Sequence, residues 1–458
     1  MIGGRGVNEA TTTLFVRGKY QLARYELGSS ATGRRLTERE VLEAYGPRVF
    51  AEIDDQLSAV LLARAGAIEH AIREQRDALG VTRAELARAA NVDREIIDRA
   101  ETDTEQLELR DLEHLAFVLG LDPAKLSIDE RAGSDPDLGV RLRVLEIERV
   151  ATPTSARLSA RTVLRFSEAA SIIRSQLLLQ RWLGKQSEAA RFEASPNYGP
   201  PAWRAGYALA GQARDRLGIG LEPIESMRDL VEGRLGIPII QVPLPPEIAG
   251  ATISSQGQRG IVLNVDGRNE NVWIRRTTLA HELGHILFDP EEQLANVRVD
   301  SYEQIARDAE HDSQLPDYVE QRANAFAVEF LAPREAVRQL VPSPAQVSAV
   351  SVERVMSDFG IGRAAARFHV GNAWWGEAEL PVESAIQTTP TDDQKAAENF
   401  ALDYFQPIVT PEQRRGRFAF LAAEAVEKRL ITHDTAAQYL ACTENEIRDA
   451  LPVLLDLA

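Results

Sequence analysis

Two histidines four residues apart are the sharpest chemical signal in the sequence. They are His281 and His285, in the segment NVWIRRTTLAHELGHILFDP, whose spacing predicts a helix that ends at Asp289-Pro290. Side chains at i and i+4 of a helix lie about 40° apart, so both imidazoles project toward one point. This arrangement suits two positions of a tetrahedral zinc centre, whose zinc–nitrogen bonds measure about 2.0–2.1 Å. The spacing therefore predicts a zinc site.

Glu282 follows the first histidine and adds a second kind of chemistry. The helical twist places it about 100° from His281, beside a metal rather than on it. There it can hold the attacking water, take its proton as a general base and pass that proton to a leaving amine. The alternative interpretation is that both histidines are core residues, or that they fell at this spacing by accident.

The remaining residues of this helix predict how it packs. Val272, Leu279, Leu283 and Ile286 form an apolar stripe opposite the histidines, so we expect the helix to pack by one face and present its histidine face to a cleft. Gly284 costs about 1 kcal/mol of helix propensity and would allow close approach of backbone or substrate.

A third metal ligand should come from a neighbouring element. The downstream candidates are Glu303, His311, Asp312, Asp317 and Glu320. Glu320 is best placed by pattern, because it heads a predicted helix, DYVEQRANAFAVEFLAP, and shares one face with Asn324. A carboxylate that completes a His₂Glu set leaves the fourth zinc position open, as in catalytic sites. On spacing alone, Glu320 could equally be a first-turn glutamate favoured by the helix dipole.

Three motifs together resemble the ImmA/IrrE family of zinc metallopeptidases. They are a strand ending in Leu263-Asn264, the Arg276–His285 helix segment and the Glu320–Pro333 helix segment. The resemblance covers roughly residues 199–375, and Thr277 departs from it where the family commonly has an aromatic residue. It implies that His281, His285 and Glu320 bind Zn²⁺ and that Glu282 is the general base.

The elements around these motifs predict a mostly α fold with a small α+β core, and the resemblance implies that this core is a zincin-like metallopeptidase domain. That core would contain a short antiparallel sheet beside the HExxH helix. The predicted strands are IPIIQV, GATISS and GIVLNV, preceded by helices over 203–218 and 224–236. A strand such as GIVLNV could bind an extended peptide by β-addition.

The whole chain divides by pattern into five segments. We predict an N-terminal extension over 1–65, a helix-turn-helix module over 66–130 and a helical linker or hairpin over 131–198. A metallopeptidase domain over 199–380 and a C-terminal helical domain over 381–458 follow.

The second segment carries helix start and stop signals. Gly80 ends one helix, Thr82 and Glu85 form a capping box for the next, Asn91 makes the turn, and Asp93 caps the third helix. This segment resembles the phage-repressor-type (XRE-like) helix-turn-helix family. The matching residues are Arg76, Leu86, Ala87, Val92, Ile96, Leu112, Leu115, Ala116, Leu119, Gly120, Leu121 and Leu126.

Charge argues against DNA as the partner of this module. Residues 65–126 hold eight basic and fourteen acidic side chains, a net charge of −6, which opposes phosphate binding. Protein docking or dimerisation is therefore favoured, and DNA binding stays open. The best phosphate-contacting surface is a basic helical face in the linker, formed by Arg141, Arg143, Arg149, Arg157, Arg161 and Arg165.

A second small helix-turn-helix pattern, THDTAAQYLACTENEIRDAL, is best interpreted as a packing or docking domain.

Composition and net charge limit the classes of protein to which the chain can belong. The chain has 458 residues and a net charge of −17, which excludes a general nucleic-acid coat. It has no long uncharged apolar run, no signal-peptide pattern and one cysteine, Cys442, so we expect a soluble cytoplasmic protein without disulfides.

These observations predict a zinc-dependent endopeptidase. Members of the ImmA/IrrE family often carry a repressor-type module and cleave a repressor-like partner, which implies a regulatory protein or antitoxin as partner in a stress, prophage, phage-defence or toxin–antitoxin switch. The oxyanion could be stabilised by Tyr302, His311 or Tyr318. The alternative function is a DNA-binding transcriptional regulator that uses the peptidase fold as a sensor or docking scaffold.

Overall fold

The computed structural model describes the chain with gaps. The described residues are 14–16, 33–47, 50, 67–104, 107–123, 158–185, 187–195, 201–255, 257–290, 298–301, 318–398 and 410–457. Most of the predicted N-terminal extension lies outside them, as do Arg141 to Arg157 of the basic face. Five candidate site residues also lie outside them: Tyr302, Glu303, His311, Asp312 and Asp317.

Helices dominate the described residues, which confirms the mostly α prediction. They are α1 (Glu38–Tyr45), α2 (Ala67–Ala78), α3 (Arg83–Ala90), α4 (Arg94–Ala100), α5 (Leu109–Val118), α6 (Ala160–Trp182), α7 (Ala202–Leu217), α8 (Val272–Phe288), α9 (Tyr318–Leu331), α10 (Arg334–Leu340), α11 (Ala349–Phe359), α12 (Arg363–Ala373), α13 (Asp392–Ala397), α14 (Arg417–Glu427), α15 (His433–Leu440) and α16 (Glu444–Leu457). The strands are β1 (Ile239–Val242), β2 (Ile248–Ser255), β3 (Gln258–Asn264) and β4 (Arg298–Ser301). Within this part of the chain, no helix is both long and apolar enough to cross a membrane.

The chain divides into two compact units. The first consists of Met1–Arg143, Leu158–Gly184 and Ala401–Ala458, and the second of Val144–Arg157 and Lys185–Phe400. The boundaries of these two units differ from those of the five predicted segments. Helix α6 of the predicted linker packs in the first unit, whereas α13, which was assigned to the C-terminal domain, packs in the second.

Local signals around α3 behave largely as predicted. Thr82 and Glu85 form the capping box, with the Thr82 backbone N–H donating to the Glu85 carboxylate at 2.8 Å. Asn91 ends α3 in the left-handed conformation, with φ of 53°. The predicted cap at Asp93 is wrong in one respect: this residue precedes α4, but its exposed side chain makes no capping hydrogen bond.

A buried arginine joins three parts of the first unit. Arg414 is paired with Glu168 of α6, and its guanidinium lies 4.4 Å from the ring centroid of Phe117 on α5. Removing such a charge from water is costly unless it is paired, so this contact requires all three segments to stay together. It is one of the contacts that hold the linker helix and the C-terminal segment in the same unit.

The sheet of the second unit has the order β1-β3-β2-β4. The three predicted strands are confirmed, and β4 is an additional one. The prediction of an antiparallel sheet is wrong for one pair: β1 runs parallel to β3, because the chain crosses from β1 to β2 before returning through a hairpin to β3.

Asn264 holds this crossover in place. It is fully buried at the end of β3, accepts a hydrogen bond from the Leu244 backbone N–H at 2.9 Å and donates one to the Ile248 carbonyl at 2.7 Å. A buried amide with these partners fixes where β2 begins. The Leu263-Asn264 motif is therefore structural.

The region before the sheet differs from its predicted form. The first helix is present as α7, but the segment 224–236 contains only a short π-helix, Asp229–Arg234, with Met227 and Arg228 helical before it. Arg276 of α8 donates to the carbonyls of Ile224 at 2.5 Å and Glu225 at 3.0 Å. These two carbonyls therefore accept hydrogen bonds from a side chain instead of from the backbone N–H groups of a helix.

Candidate metal centre

Three side chains from α8 and α9 converge on one point. The Nε2 atoms of His281 and His285 are 3.1 Å apart. Glu320 Oε2 lies 3.2 Å from His281 Nε2, and Glu320 Oε1 lies 3.7 Å from His285 Nε2. Tetrahedral ligands with bonds of about 2.0–2.1 Å are separated by about 3.3 Å. The spacing of these three residues therefore suits a metal ion.

The other nitrogen of each imidazole has its own partner. His281 Nδ1 lies 2.8 Å from Oδ1 of Asn324, and His285 Nδ1 lies 2.8 Å from Oδ2 of Asp289. Both partners accept a hydrogen bond, so each Nδ1 carries the proton and each Nε2 presents a lone pair to the common point. Asp289 is in turn paired with Arg322 of α9.

The electrostatics of the cluster also fit a cation. Two nitrogen lone pairs and a carboxylate face one another, and such acceptors repel unless positive charge lies between them. The donor set, two imidazoles and one carboxylate, is one that zinc accepts.

Helix α8 does not present its histidines to an open cleft, contrary to expectation. His281 is 0% exposed and His285 is 2% exposed, because α9 covers their face with Glu320 and Asn324. The opposite side of α8 packs against β2 and β3. The apolar stripe accounts for only one packed face, whereas nearly the whole of α8 is buried.

Glu282 faces the sheet rather than the three ligands. Its Oε2 accepts a hydrogen bond from Thr252 Oγ1 of β2 at 2.8 Å, and the side chain is fully buried. Glu282 follows His281 in the chain, but its side chain is hydrogen-bonded to β2, whereas His281 contacts α9. This placement leaves Glu282 outside the group of His281, His285 and Glu320.

Other predicted residues have definite positions. Gly284 does allow a close approach, but the neighbour is an aromatic ring: a Cβ at this position would lie 2.9 Å from Phe326 Cδ1. Tyr318 begins α9, two residues before Glu320 and therefore about 200° around the helix from it. The idea that β3 binds a peptide by β-addition is wrong, because β3 lies between β1 and β2 and has no free edge.

Four residues that support the cluster were not assigned this role from the sequence: Asp289, Asn324, Arg322 and Thr252. The sequence predicts Asp289 as the end of a helix, and its i+4 spacing from His285 also places it on the face of that histidine. Asn324 lies at i+4 from Glu320, on the face already identified. Thr252 lies on strand β2, so the residue spacing along α8 and α9 does not predict its hydrogen bond with Glu282.

Residues 232–370 match the model of the IrrE N-terminal-like domain, a peptidase family. The match contains the sheet and helices α8 and α9, so it supports the ImmA/IrrE resemblance for this region. No curated protein matches the chain. The helix-turn-helix resemblance of residues 66–130 stays a prediction.

Proposed function

We propose that the chain is a zinc-dependent endopeptidase with His281, His285 and Glu320 as metal ligands and Glu282 as general base. One observation carries this proposal. The facing ligand atoms of His281, His285 and Glu320 stand 3.1, 3.2 and 3.7 Å apart, as a three-ligand zinc site requires. The match to a peptidase family supports the same reaction class.

Each residue has a defined task in peptide hydrolysis. Asn324 and Asp289 orient the two imidazoles through their Nδ1 protons. Zinc, when bound, would act as a Lewis acid on the peptide carbonyl and make the attacking water more acidic. Glu282 takes the proton of that water and returns it to the leaving amine. The side chains of His281, His285, Glu320 and Glu282 are all buried, which limits access of bulk water and strengthens these interactions.

The proposed substrate is a protein partner, a repressor or other regulatory protein, cleaved in the reducing cytoplasm as part of a stress, prophage, phage-defence or toxin–antitoxin-like switch. The helices of the first unit would select this partner. The two arginines of α4 support a protein partner over DNA, because each has an acidic neighbour on the same helix: Arg99 with Glu95 at 2.6 Å and Arg94 with Asp98 at 3.7 Å. Pairing leaves little net positive charge for phosphate.

Elemental analysis tests the metal site first. Wild-type protein purified without chelator should hold about one zinc per chain, and His281→Ala and Glu320→Ala should each hold almost none. His114→Ala is the matched control, since it removes a half-buried histidine outside the site, bonded to the Ala90 carbonyl at 2.8 Å. Wild-type protein that neither contains nor takes up zinc would refute the proposal.

The reaction is tested with Glu282→Gln, which should keep the zinc and lose hydrolysis. The variant should therefore retain an intact partner that the wild type cleaves, and mass spectrometry of both fractions would identify the cut bond. If zinc-loaded wild type and Glu282→Gln leave the same proteins intact, while the wild type shifts a DNA fragment in a salt-dependent gel assay, the regulator function is the correct one.

A further inference from the structure

Thr252 makes a side-chain contact with Glu282 that the proposed mechanism does not use. The Thr252 hydroxyl donates to Glu282 Oε2 at 2.8 Å, and Thr252 is 3% exposed. In a site without bulk water, a hydrogen bond to a carboxylate is short and strong. It therefore selects one orientation of the Glu282 side chain.

Gly250 lies on the same face of β2, two residues before Thr252. A Cβ at Gly250 would lie 2.9 Å from Glu282 Oε1 and 3.1 Å from Thr278 Cγ2. The absence of a side chain at this position therefore leaves room for the second carboxylate oxygen. Strand β2 thus holds one oxygen of Glu282 through a hydroxyl and accommodates the other through a glycine.

The attachment of β2 does not itself depend on the Thr252 hydroxyl. Thr252 pairs through its backbone with Ile261 of β3 and Arg298 of β4. Valine has the same shape and a high preference for strands, so Thr252→Val removes the hydroxyl and leaves the ladder intact. The role of the hydroxyl can therefore be separated from that of the strand.

We propose that Thr252 is the positioning residue for Glu282, and that Gly250 is required for the same carboxylate orientation. This inference rests on the proposed peptidase function for its catalytic meaning. A general base must lie within hydrogen-bond reach of the proton that it takes, and small displacements of such groups cause large losses of rate. Positioning by β2 makes the sheet part of the catalytic apparatus without contact to the substrate.

The test compares Thr252→Val and Thr252→Ser with Thr277→Val as matched control. Thr277 is also buried, but its hydroxyl donates to the Trp273 carbonyl at 3.0 Å within α8. Crystal structures should show the Glu282 carboxylate displaced in Thr252→Val and in its wild-type position in the other two variants. The zinc content of Thr252→Val should equal that of Thr277→Val.

Kinetics give a second readout, on the best-cleaved peptide of a quenched fluorescent library. Thr252→Val should lower kcat about 10- to 100-fold with KM within about twofold, whereas Thr252→Ser should stay near wild type. Gly250→Ala should lower kcat similarly while keeping the hydroxyl. This is because the new Cβ displaces the far end of the Glu282 side chain.

The outcomes separate this inference from the proposed function. If Glu282 keeps its position in Thr252→Val, or if kcat equals that of Thr277→Val, the positioning role is overturned. If the zinc-loaded wild type cleaves no peptide or protein, the proposed function fails, and the crystal structures still decide whether Thr252 orients Glu282.

Discussion

Asp289 accepts a hydrogen bond from His285 Nδ1 at 2.8 Å while its other carboxylate oxygen is paired with Arg322. The residue that ends α8 thereby orients one histidine and connects it to α9. Both Asp289 and Arg322 are buried, so this pair links the two helices that carry the proposed ligands.

Asp289→Asn should weaken zinc binding about 10-fold or more. The amide can still accept from His285, but it loses the negative charge that raises the basicity of the imidazole and that neutralises Arg322. A competition titration with a zinc chelator, run on folded protein, measures the effect. Asp215→Asn on the exposed side of α7 is the control, and equal zinc affinity of the two variants would contradict the prediction.

Two glycines on α7 provide a matched pair for helix packing. A Cβ at Gly206 would lie 2.3 Å from the Arg322 carbonyl of α9, whereas a Cβ at Gly211 meets nothing within 4 Å. Gly206→Ala should destabilise the protein by about 1–3 kcal/mol or more, because backbone must shift. Gly211→Ala should stabilise it by about 1 kcal/mol through helix propensity.

Urea unfolding of both variants and the wild type checks this pair. Since α9 carries Glu320, Gly206→Ala should also lower zinc affinity, and Gly211→Ala should not. Equal stabilities of the two variants would show that α7 and α9 can separate without cost.

The buried ion pair between Arg276 and Glu398 ties α8 to the segment after α13. The Glu398 carboxylate also accepts from the Met227 backbone N–H at 2.7 Å. Glu398→Gln should destabilise the second unit by about 3–5 kcal/mol, because it leaves a buried guanidinium without its counter-charge. The measurement is thermal unfolding followed by tryptophan fluorescence.

Glu383→Gln, on an exposed turn, serves as its control. A loss no larger than that of this control would mean that the Ile224 and Glu225 carbonyls satisfy Arg276 by themselves.

His369 should make the second unit sensitive to acid. Burial lowers the pKa of His369 to about 4, and Arg334 adds to this effect against the opposing hydrogen bond to the Ala332 carbonyl. The unfolded imidazole, with a pKa of about 6.5, binds a proton at pH values where the folded one does not. Stability should therefore fall as the pH decreases from about 6.5 to 4, by about 3 kcal/mol from this group.

Urea unfolding at pH 7, 6, 5 and 4.5 measures this dependence in wild type and His369→Gln. The wild type should lose more stability than the variant over this range, and the difference between them is the contribution of His369. His70→Gln, at an exposed position on α2, should have the wild-type slope. Parallel curves for wild type and His369→Gln would contradict the prediction.

Local sequence determined the elements that carry the candidate site. The i, i+4 spacing of His281 and His285 needs only helical geometry, the Thr82–Glu85 capping box needs only neighbouring residues, and three short segments that contain β-branched residues were predicted as strands. Each of these features depends on contacts within a few residues, and such contacts can be read from order along the chain.

Tertiary structure decided what surrounds these elements. Glu320 was one of five candidate ligands by spacing, and the packing of α9 on α8 brings it within 3.2 Å of His281. Thr252 and Glu282 are 30 residues apart and lie on different kinds of element, so no periodicity relates them. The burial of the histidine face, the parallel β1–β3 pair and the two-unit grouping likewise arise from contacts between distant segments. Residue spacing along the sequence predicts which residues share a face of one helix or strand. Which of these faces pack against one another depends on contacts between distant segments, which form only when the whole core packs.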